Sequence, residues 1–298
     1  MQQVSRVAYN YETKLFTITS TVSSSSSNSS ASFSSSATSK TWDAEHVICT
    51  VPLGVLKGLS ISFEPALSSD FITALDSLGM GNLVRVTLLF DTVWWDSRDN
   101  FFLLSRPEFG AAQRGLFTYF LNGRMLLNGR PVLVAFSSGE AANSAEGLSD
   151  AETWALIRDN LVAMFGAAVP ANYRGMMRSL WAADPWAKGT HSYPTTAASR
   201  YVWGSLQQKQ GGTLFFAGEH TSPKYYGTLH GAIQEGLRAA RALMDEARVF
   251  KEQPTYGTGS SSGTALSAGV PVQDWSAALV VCVASALALA LAHTHEFM

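Results

Sequence analysis

The chain has 298 residues, of which 46% are hydrophobic and 15% charged, with a formal net charge of −2. So little charge, with no basic face, removes the electrostatic footing of nucleic-acid binding. Cys49 in an apolar stretch and Cys282 near the end leave neither a disulfide framework nor a metal-ligand spacing, and the length accommodates about two domains.

From the N-terminus, residues 4–19 alternate (Val4, Val7, Tyr9, then Leu15, Phe16, Ile18) and predict a hairpin turning through Glu12–Thr13–Lys14. Ser20 to Ser39 is nearly all serine and reads as a disordered insert in that sheet, with a glycosylation-type triplet at Asn28-Ser29-Ser30. Glu45 to Val51 reads as a buried strand closed by Pro52. A second domain starts near Leu59. Its elements are a helix over Leu67–Leu78 and antiparallel strands at Leu83–Asp91, Phe101–Leu104, Leu116–Leu121 and Pro131–Ser137, with turns at Asn122-Gly123 and Asn128-Gly129. Ser149 with Glu152 forms a capping box for a helix striped by Trp154, Ile157, Leu161 and Phe165 and ended by Gly166. Residues 172–182 predict another strand.

Leu214–Ala217 then suits a buried strand, Gly218 lets the backbone turn out of it, and Thr228 opens a helix. The apolar face of that helix reads as Leu229, Ala232, Ile233, Leu237, Ala240 and Leu243, with Gly227, Gly231 and Gly236 permitting close approach. A strand, an acidic turn and a helix N-terminus present free amides and a positive dipole end to an anionic ring or phosphate. Beyond lie a Gly/Ser-rich spacer, Gly257–Gly269, and an uncharged run, Trp275–Ala292, at the short edge of what crosses a bilayer. That run reads as a transmembrane helix, a GPI-attachment signal (Ser261, Ser262, Gly263) or a helix packed on the protein. Localisation is undetermined, with membrane association through this tail the one indication.

Some patterns carry no chemistry. Gly259-Ser260-Ser261-Ser262-Gly263 fits a hydrolase elbow but has no strand before it or helix after it. His293 and His295 lack further ligands, as do His220 and His230, so no metal site is expected. Gly79-Met80-Gly81 is the nearest approach to a dinucleotide turn, and a strand follows it rather than a helix.

Four blocks in order carry a family resemblance: VICTVPLGVLK (Val47–Lys57), LGMGNLVRVTLLFDTVWW with the later SSGEAA, LWAADPWAKGTHSYP (Leu180–Pro194) and LFFAGEHTSPKYYGTLHGAIQEGLRAA (Leu214–Ala240). Together they resemble the C-terminal portion of the flavin-dependent amine oxidases, the superfamily of polyamine oxidases, monoamine oxidases and lysine-specific histone demethylases. The resemblance implies a mixed α/β fold: the C-terminal half of a FAD/NAD(P)-binding Rossmann-like domain, an inserted substrate domain of antiparallel sheet plus helices, and a C-terminal apolar helix. The implied division is 1–58 partial FAD-binding domain (insert 20–39), 59–200 substrate-binding domain, 201–252 returning FAD-binding strand and helix, 253–274 linker and 275–292 hydrophobic tail.

The resemblance implies FAD as cofactor, with Glu219 at its sugar-phosphate region, Gly218 in the turn, Thr228 and Leu229 offering main-chain contacts to the ring, and Val4 near the adenine. It places Trp181, Trp186, His191 and Tyr193 along a substrate channel, His191 standing where many members have tyrosine. Arg85 occupies the position of the family's lysine, within Gly81-Asn82-Leu83-Val84-Arg85-Val86. Arginine stays charged and presents a planar fork where lysine is a compact donor with a movable pKa. The implied reaction moves a hydride from the carbon beside an amine nitrogen to flavin. The imine then hydrolyses, and dioxygen is reduced to hydrogen peroxide. The implied substrate is a small-molecule amine of polyamine type or a methylated lysine. Two readings stand: such an oxidase, entered part-way through its first domain and holding FAD poorly alone, or a catalytically inactive, membrane-tethered interaction module.

Overall fold

The computed structural model describes residues 2–22, 38–96, 98–106, 110, 114–124 and 127–246. Their contacts form two units, Met1–Gly79 with Ser192–Met298, and Met80–His191. The sequence suggests changes of domain after residues 58 and 200, whereas contacts keep the segment up to Gly79 in the first unit. Lys57 supplies one reason. Its ammonium donates to the carbonyls of Leu75, Asp76 and Leu78, a cation satisfying the open C-terminus of the next helix.

The first unit opens with β1 (Gln2–Asn10) and β2 (Leu15–Val22), the expected hairpin. The Asn10 side chain accepts from the amides of Glu12 and Thr13, setting the turn. A strand not foreseen, β3 (Thr38–Ala44), pairs with β2 along Phe16–Val22. Both ends of the serine tract are therefore strand, with Ser20 fully buried in β2, because ladder pairing needs no apolar side chain. Residues 23–37, the rest of the proposed insert, lie outside the described residues. Next come β4 (Val47–Cys49), the short helix α1 (Leu53–Lys57), β5 (Ser62–Glu64), which runs parallel to β1, and α2 (Ser69–Ser77), capped by the Ser68 hydroxyl. Cys49 is buried and its thiol is pushed up to about 11 by burial, so it is an inert core residue.

The chain continues into the second unit along β6 (Leu78–Gly81). Then follow β7 (Leu83–Leu89), β8 (Phe101–Leu103), β9 (Tyr119–Asn122), β10 (Val132–Ser138), α3 (Glu140–Glu146), α4 (Asp150–Phe165) and β11 (Gly175–Arg178). The sheet order is β11-β7-β10-β9-β8. Along β7, Val84, Val86 and Leu88 are fully buried and alternate with half-exposed residues, the period-2 pattern of a sheet with one covered face. They join Phe90, Phe120, Leu133, Ile157 and Leu161 in one continuous core beneath α4. The capping box of α4 is present as read, with reciprocal bonds between Ser149 and Glu152. Strand β9 starts later than expected because the Asn160 amide holds the carbonyls of Leu116 and Phe117, the latter at φ 48°, in a turn. The strand expected over 172–182 shortens to β11, its flanks being turns.

The chain returns through β12 (His191–Pro194), whose partner strand is β6, to α5 (Val202–Gln207), β13 (Leu214–Phe216) and α6 (Leu229–Glu246). β13 runs parallel to β4, and these two short strands are a sheet by themselves. The expected face of α6 holds in the second half of the helix, where Ala240 and Leu243 pack on the unit's core, and fails in the first. Its buried residues are Gly231, Glu235 and Ala239, while Leu229, Ile233 and Leu237 are exposed. The inward face is fixed by close approach, since a Cβ on Gly231 would lie 2.0 Å from the Tyr225 carbonyl oxygen. Gly236, expected to serve the same end, faces open space.

The expected C-terminal apolar helix (275–292) and its spacer fall on residues outside the described ones. Among the described residues no helix is long and apolar enough to cross a membrane.

Candidate functional site

The expected site residues fall into two groups. In the first unit, β13 delivers the chain to Gly218, whose φ of 148° is glycine territory, and into a 3₁₀ turn over Glu219–Thr221. Glu219 is half-buried and already engaged. Its carboxylate accepts from the Ser192 amide (3.1 Å), the Ser192 hydroxyl (2.6 Å) and the Gly227 amide (2.5 Å). A buried or half-buried carboxylate is stable when such donors surround it. Glu219 thus ties β12 to the loop that ends at α6, a role the sequence did not suggest.

That loop closes on Thr228, whose hydroxyl accepts from the Gly231 amide (3.1 Å) and donates to the Tyr225 carbonyl (2.6 Å), while its carbonyl accepts from Ala232. Thr228 is the N-cap. The next two amides, Leu229 and His230, have no acceptor among the described residues, and both residues are exposed. Uncommitted amides at the positive end of an 18-residue helix form an anion-binding arrangement.

Beneath the turn lies a polar cluster the sequence reading missed. Glu235, only 6% exposed, accepts from Arg238 Nε (2.5 Å) and Gln207 Nε2 (3.1 Å), with the Thr221 hydroxyl at 3.2 Å. Arg238 also donates to the Phe216 carbonyl and Gln207 to the Thr221 carbonyl. These bonds bolt the 3₁₀ turn to α6 and to the end of β13. The one available clue was position: Glu235 shares the four-residue spacing of Gly231 and Ala239. His220, in the same 3₁₀ turn as Thr221, is fully buried. Burial pushes its imidazole down to about 4 against the opposing pull of Glu219, and Nε2 has no partner, so the ring is neutral near pH 7.

Also in this unit, Val4 is half-buried in β1 opposite Ser20, and Tyr193 is half-exposed on β12. The Tyr193 ring lies flat on Gly79, where an added Cβ would come within 2.2 Å of it. Gly79 therefore lies within strand β6, with an aromatic ring against its backbone.

The second unit holds Arg85, Trp181, Trp186 and His191. Arg85 sits mid-strand in β7 on the face away from the core, and its guanidinium has no hydrogen bond or ion pair among the described residues. Trp181 and Trp186 are half-buried in a turn held by two acids. Glu146 accepts from the amides of Ala182 and Ala183 (2.9 and 3.0 Å), and Asp184 accepts from the Trp186 amide (2.7 Å). Glu146 belongs to no local motif and was missed in the sequence reading. His191 is half-exposed, its ring against Gly81. Among the described residues no group of acids, histidines and cysteines could hold a metal.

A model of the flavin containing amine oxidoreductases matches residues 2–244. The chain belongs to this family. A lysine-specific histone demethylase 1 homolog 2 of Arabidopsis thaliana is 33% identical over 217 residues, covering 72% of this chain and 28% of its own length. Histone demethylase-like protein A of Aspergillus fumigatus is 38% identical over 212 residues, 68% of this chain and 19% of its own. Among solved structures, cyclohexylamine oxidase from Brevibacterium oxydans superposes with a TM-score of 0.63 at 20% identity, over 83% of this chain and 48% of that one. The chain thus spans under a third of these curated relatives and about half of that solved oxidase.

FAD is the cofactor of the family. The donor set at α6 fits one end of it: two uncommitted amides at a helix N-terminus suit an electron-rich ring. For the pyrophosphate, the described residues offer no G-x-G-x-x-G turn leading from a strand into a helix.

Proposed function

We propose that this chain supplies the ring-holding and substrate-lining part of a flavin-dependent amine oxidase acting on a polyamine or a methylated lysine. The observation that carries the proposal is the open N-terminal turn of α6, where Thr228 caps the helix and the Leu229 and His230 amides await an acceptor. Bound FAD would supply the hydride acceptor for oxidation of the amine carbon, and dioxygen would be the final oxidant.

The chain's own residues have separate tasks. The helix end favours negative charge on the ring it faces. Glu219 holds the loop that shapes this end, and the Glu235 cluster keeps the loop on α6. Trp181 and Trp186 offer flat walls that orient a neutral amine and exclude water. Arg85, at the family's lysine position, is the fixed cation on its strand. Arg85→Lys restores a group able to release a proton and is expected to raise turnover. Nothing among the described residues supports a membrane-tethered, non-catalytic module.

Leu229→Pro tests the seat. Proline is tolerated at the first helical position yet removes one of the two free N–H donors. Titrating the full chain with FAD by fluorescence quenching should give weak binding, and the variant should bind about tenfold more weakly, the size of one hydrogen bond to a charged acceptor. Equal affinity of both proteins would sink the seat.

A further inference from the structure

Trp181 and Trp186 stand apart from the other tryptophans of the second unit. Trp94, Trp95 and Trp154 lie in or against the core beneath α4, and each meets Phe90 ring to ring. Trp181 and Trp186 are half-buried, lie outside that core, and make no ring contact among the described residues. Core packing therefore does not hold these indoles. The backbone beneath them does.

The turn that carries them is pinned at both ends and in the middle. At its start the Ser179 hydroxyl accepts from the Arg85 amide, and the Ser179 amide donates to the Arg85 carbonyl, both at 2.9 Å. The turn thus leaves β11 clasped to the backbone of Arg85. At its close the Gly189 amide donates to the Trp181 carbonyl (2.9 Å) and the Thr190 amide to the Gly81 carbonyl (2.8 Å), while the Thr190 hydroxyl accepts from the Leu83 amide (3.0 Å). Gly189, at φ 137°, lies so near Met80 that an added Cβ would come within 2.4 Å of that side chain. The middle pin is Glu146, whose two oxygens take the Ala182 and Ala183 amides separately, at 2.9 and 3.0 Å. It is the pin made by a charged side chain on another element, and charged acceptors make the stronger hydrogen bonds.

The position of Glu146 is unfavourable for its own helix. It is the last residue of α3, where a carboxylate meets the negative end of the helix. Arg178 offsets this: its guanidinium donates to the carbonyls of Ala145 and Leu148 and pairs with Asp150. Arg178 directly precedes Ser179, so the strand that launches the turn also holds the helix end that pins its middle. What Glu146 accepts from explains its place, and its helix does not. We infer that Glu146 is a positioning residue for an amine substrate, fixing the Trp181–Trp186 turn against β7 so that the two indoles and Arg85 keep one geometry before the substrate arrives. The inference rests on the proposed role of the indoles as substrate walls. Walls set in advance spare a ligand the cost of ordering them.

The test labels the full chain with fluorotryptophan and follows the fluorine resonances of Trp181 and Trp186, assigned through Trp181→Phe and Trp186→Phe. Glu146→Ala should shift and broaden both, leaving those of Trp94, Trp95 and Trp154 in place. Glu146→Gln, which keeps one acceptor oxygen, should give a smaller change. Glu140→Ala, which removes an exposed acid from the other end of α3, should match wild type. Spermidine, the probe amine, should shift both resonances in wild type, and Glu146→Ala should need about tenfold more of it. Resonances that ignore Glu146→Ala while still answering spermidine overturn the inference and leave the walls standing. Resonances that follow Glu146 but ignore spermidine in wild type remove the walls and reduce Glu146 to a brace, which overturns the inference as well. Should Glu146→Ala disturb every tryptophan, Glu146→Gln decides. A change confined to Trp181 and Trp186, with a weakened spermidine response, upholds the inference, and any other result overturns it.

Discussion

The second unit and the β13–α6 region of the first are built from similar residues to opposite effect. In the second unit a five-stranded sheet and α4 enclose phenylalanine, leucine and isoleucine side chains at zero exposure. Around β13, Phe216 packs on Phe63 and Phe71, but on α6 a carboxylate takes an inward position while Leu229, Ile233 and Leu237 face out. Apolar content therefore does not tell where a core is. What distinguishes the regions is whether each apolar row has a surface to meet, and the second unit supplies its own.

If that difference is real, the costs of substitution should separate. Phe120→Ala, in the closed core, should lose about 3–5 kcal/mol in a urea titration. A loss under half of that would mean this core is looser than described. Glu235→Ala should cost about 3 kcal/mol, despite removing a charge from a helix with little apolar burial, because Arg238 and Gln207 lose their acceptor. Acid should weaken the first unit through His220. Its folded value of about 4 lies below the ordinary 6.5 because burial disfavours the cation. The unfolded chain takes the proton first, so stability is whole above that ordinary value, falls as pH drops through the window, and levels off below it. The loss is on the order of 3 kcal/mol. Thermal melts at pH 7 and 4.5 read it, and His220→Gln should flatten the difference. Ser149→Ala should cost about 1 kcal/mol through the lost cap of α4. At the bottom of the scale, Ile233→Asp should shift stability by no more than about 0.5 kcal/mol, and a large loss there would erase the contrast.

The legible parts of this sequence were those whose signals are local. The hairpin turn at Asn10, the capping box at Ser149 and Glu152, and the alternation along Val84, Val86 and Leu88 each follow from a few adjacent residues. Strand β3 was hidden because Ser39-Lys40-Thr41 pairs through its backbone and carries no apolar alternation. Strand β9 was displaced by Asn160, distant in sequence. In the candidate site, the turn at Gly218 and the cap at Thr228 were readable as a strand-to-helix passage. The carboxylates of Glu146 and Glu235 were not, since each acts on amides or side chains far along the chain. The face of α6 is legible in part: Ala240 and Leu243 pack as their periodicity suggests, whereas along Leu229, Ile233 and Leu237 the unit buries the row of Gly231, Glu235 and Ala239 instead.

Glu219 has a consequence for how occupancy and shape are linked. Both of its oxygens already hold the chain's own donors, from Ser192 and Gly227. A sugar hydroxyl arriving there must share an oxygen with one of them or release it. Under the proposed reading the carboxylate would be both a clasp for the loop and a landing point for a guest, and undoing the clasp would redraw the landing point. Slackening at Ser192 would then be felt, through Glu219, as weaker hold on the guest.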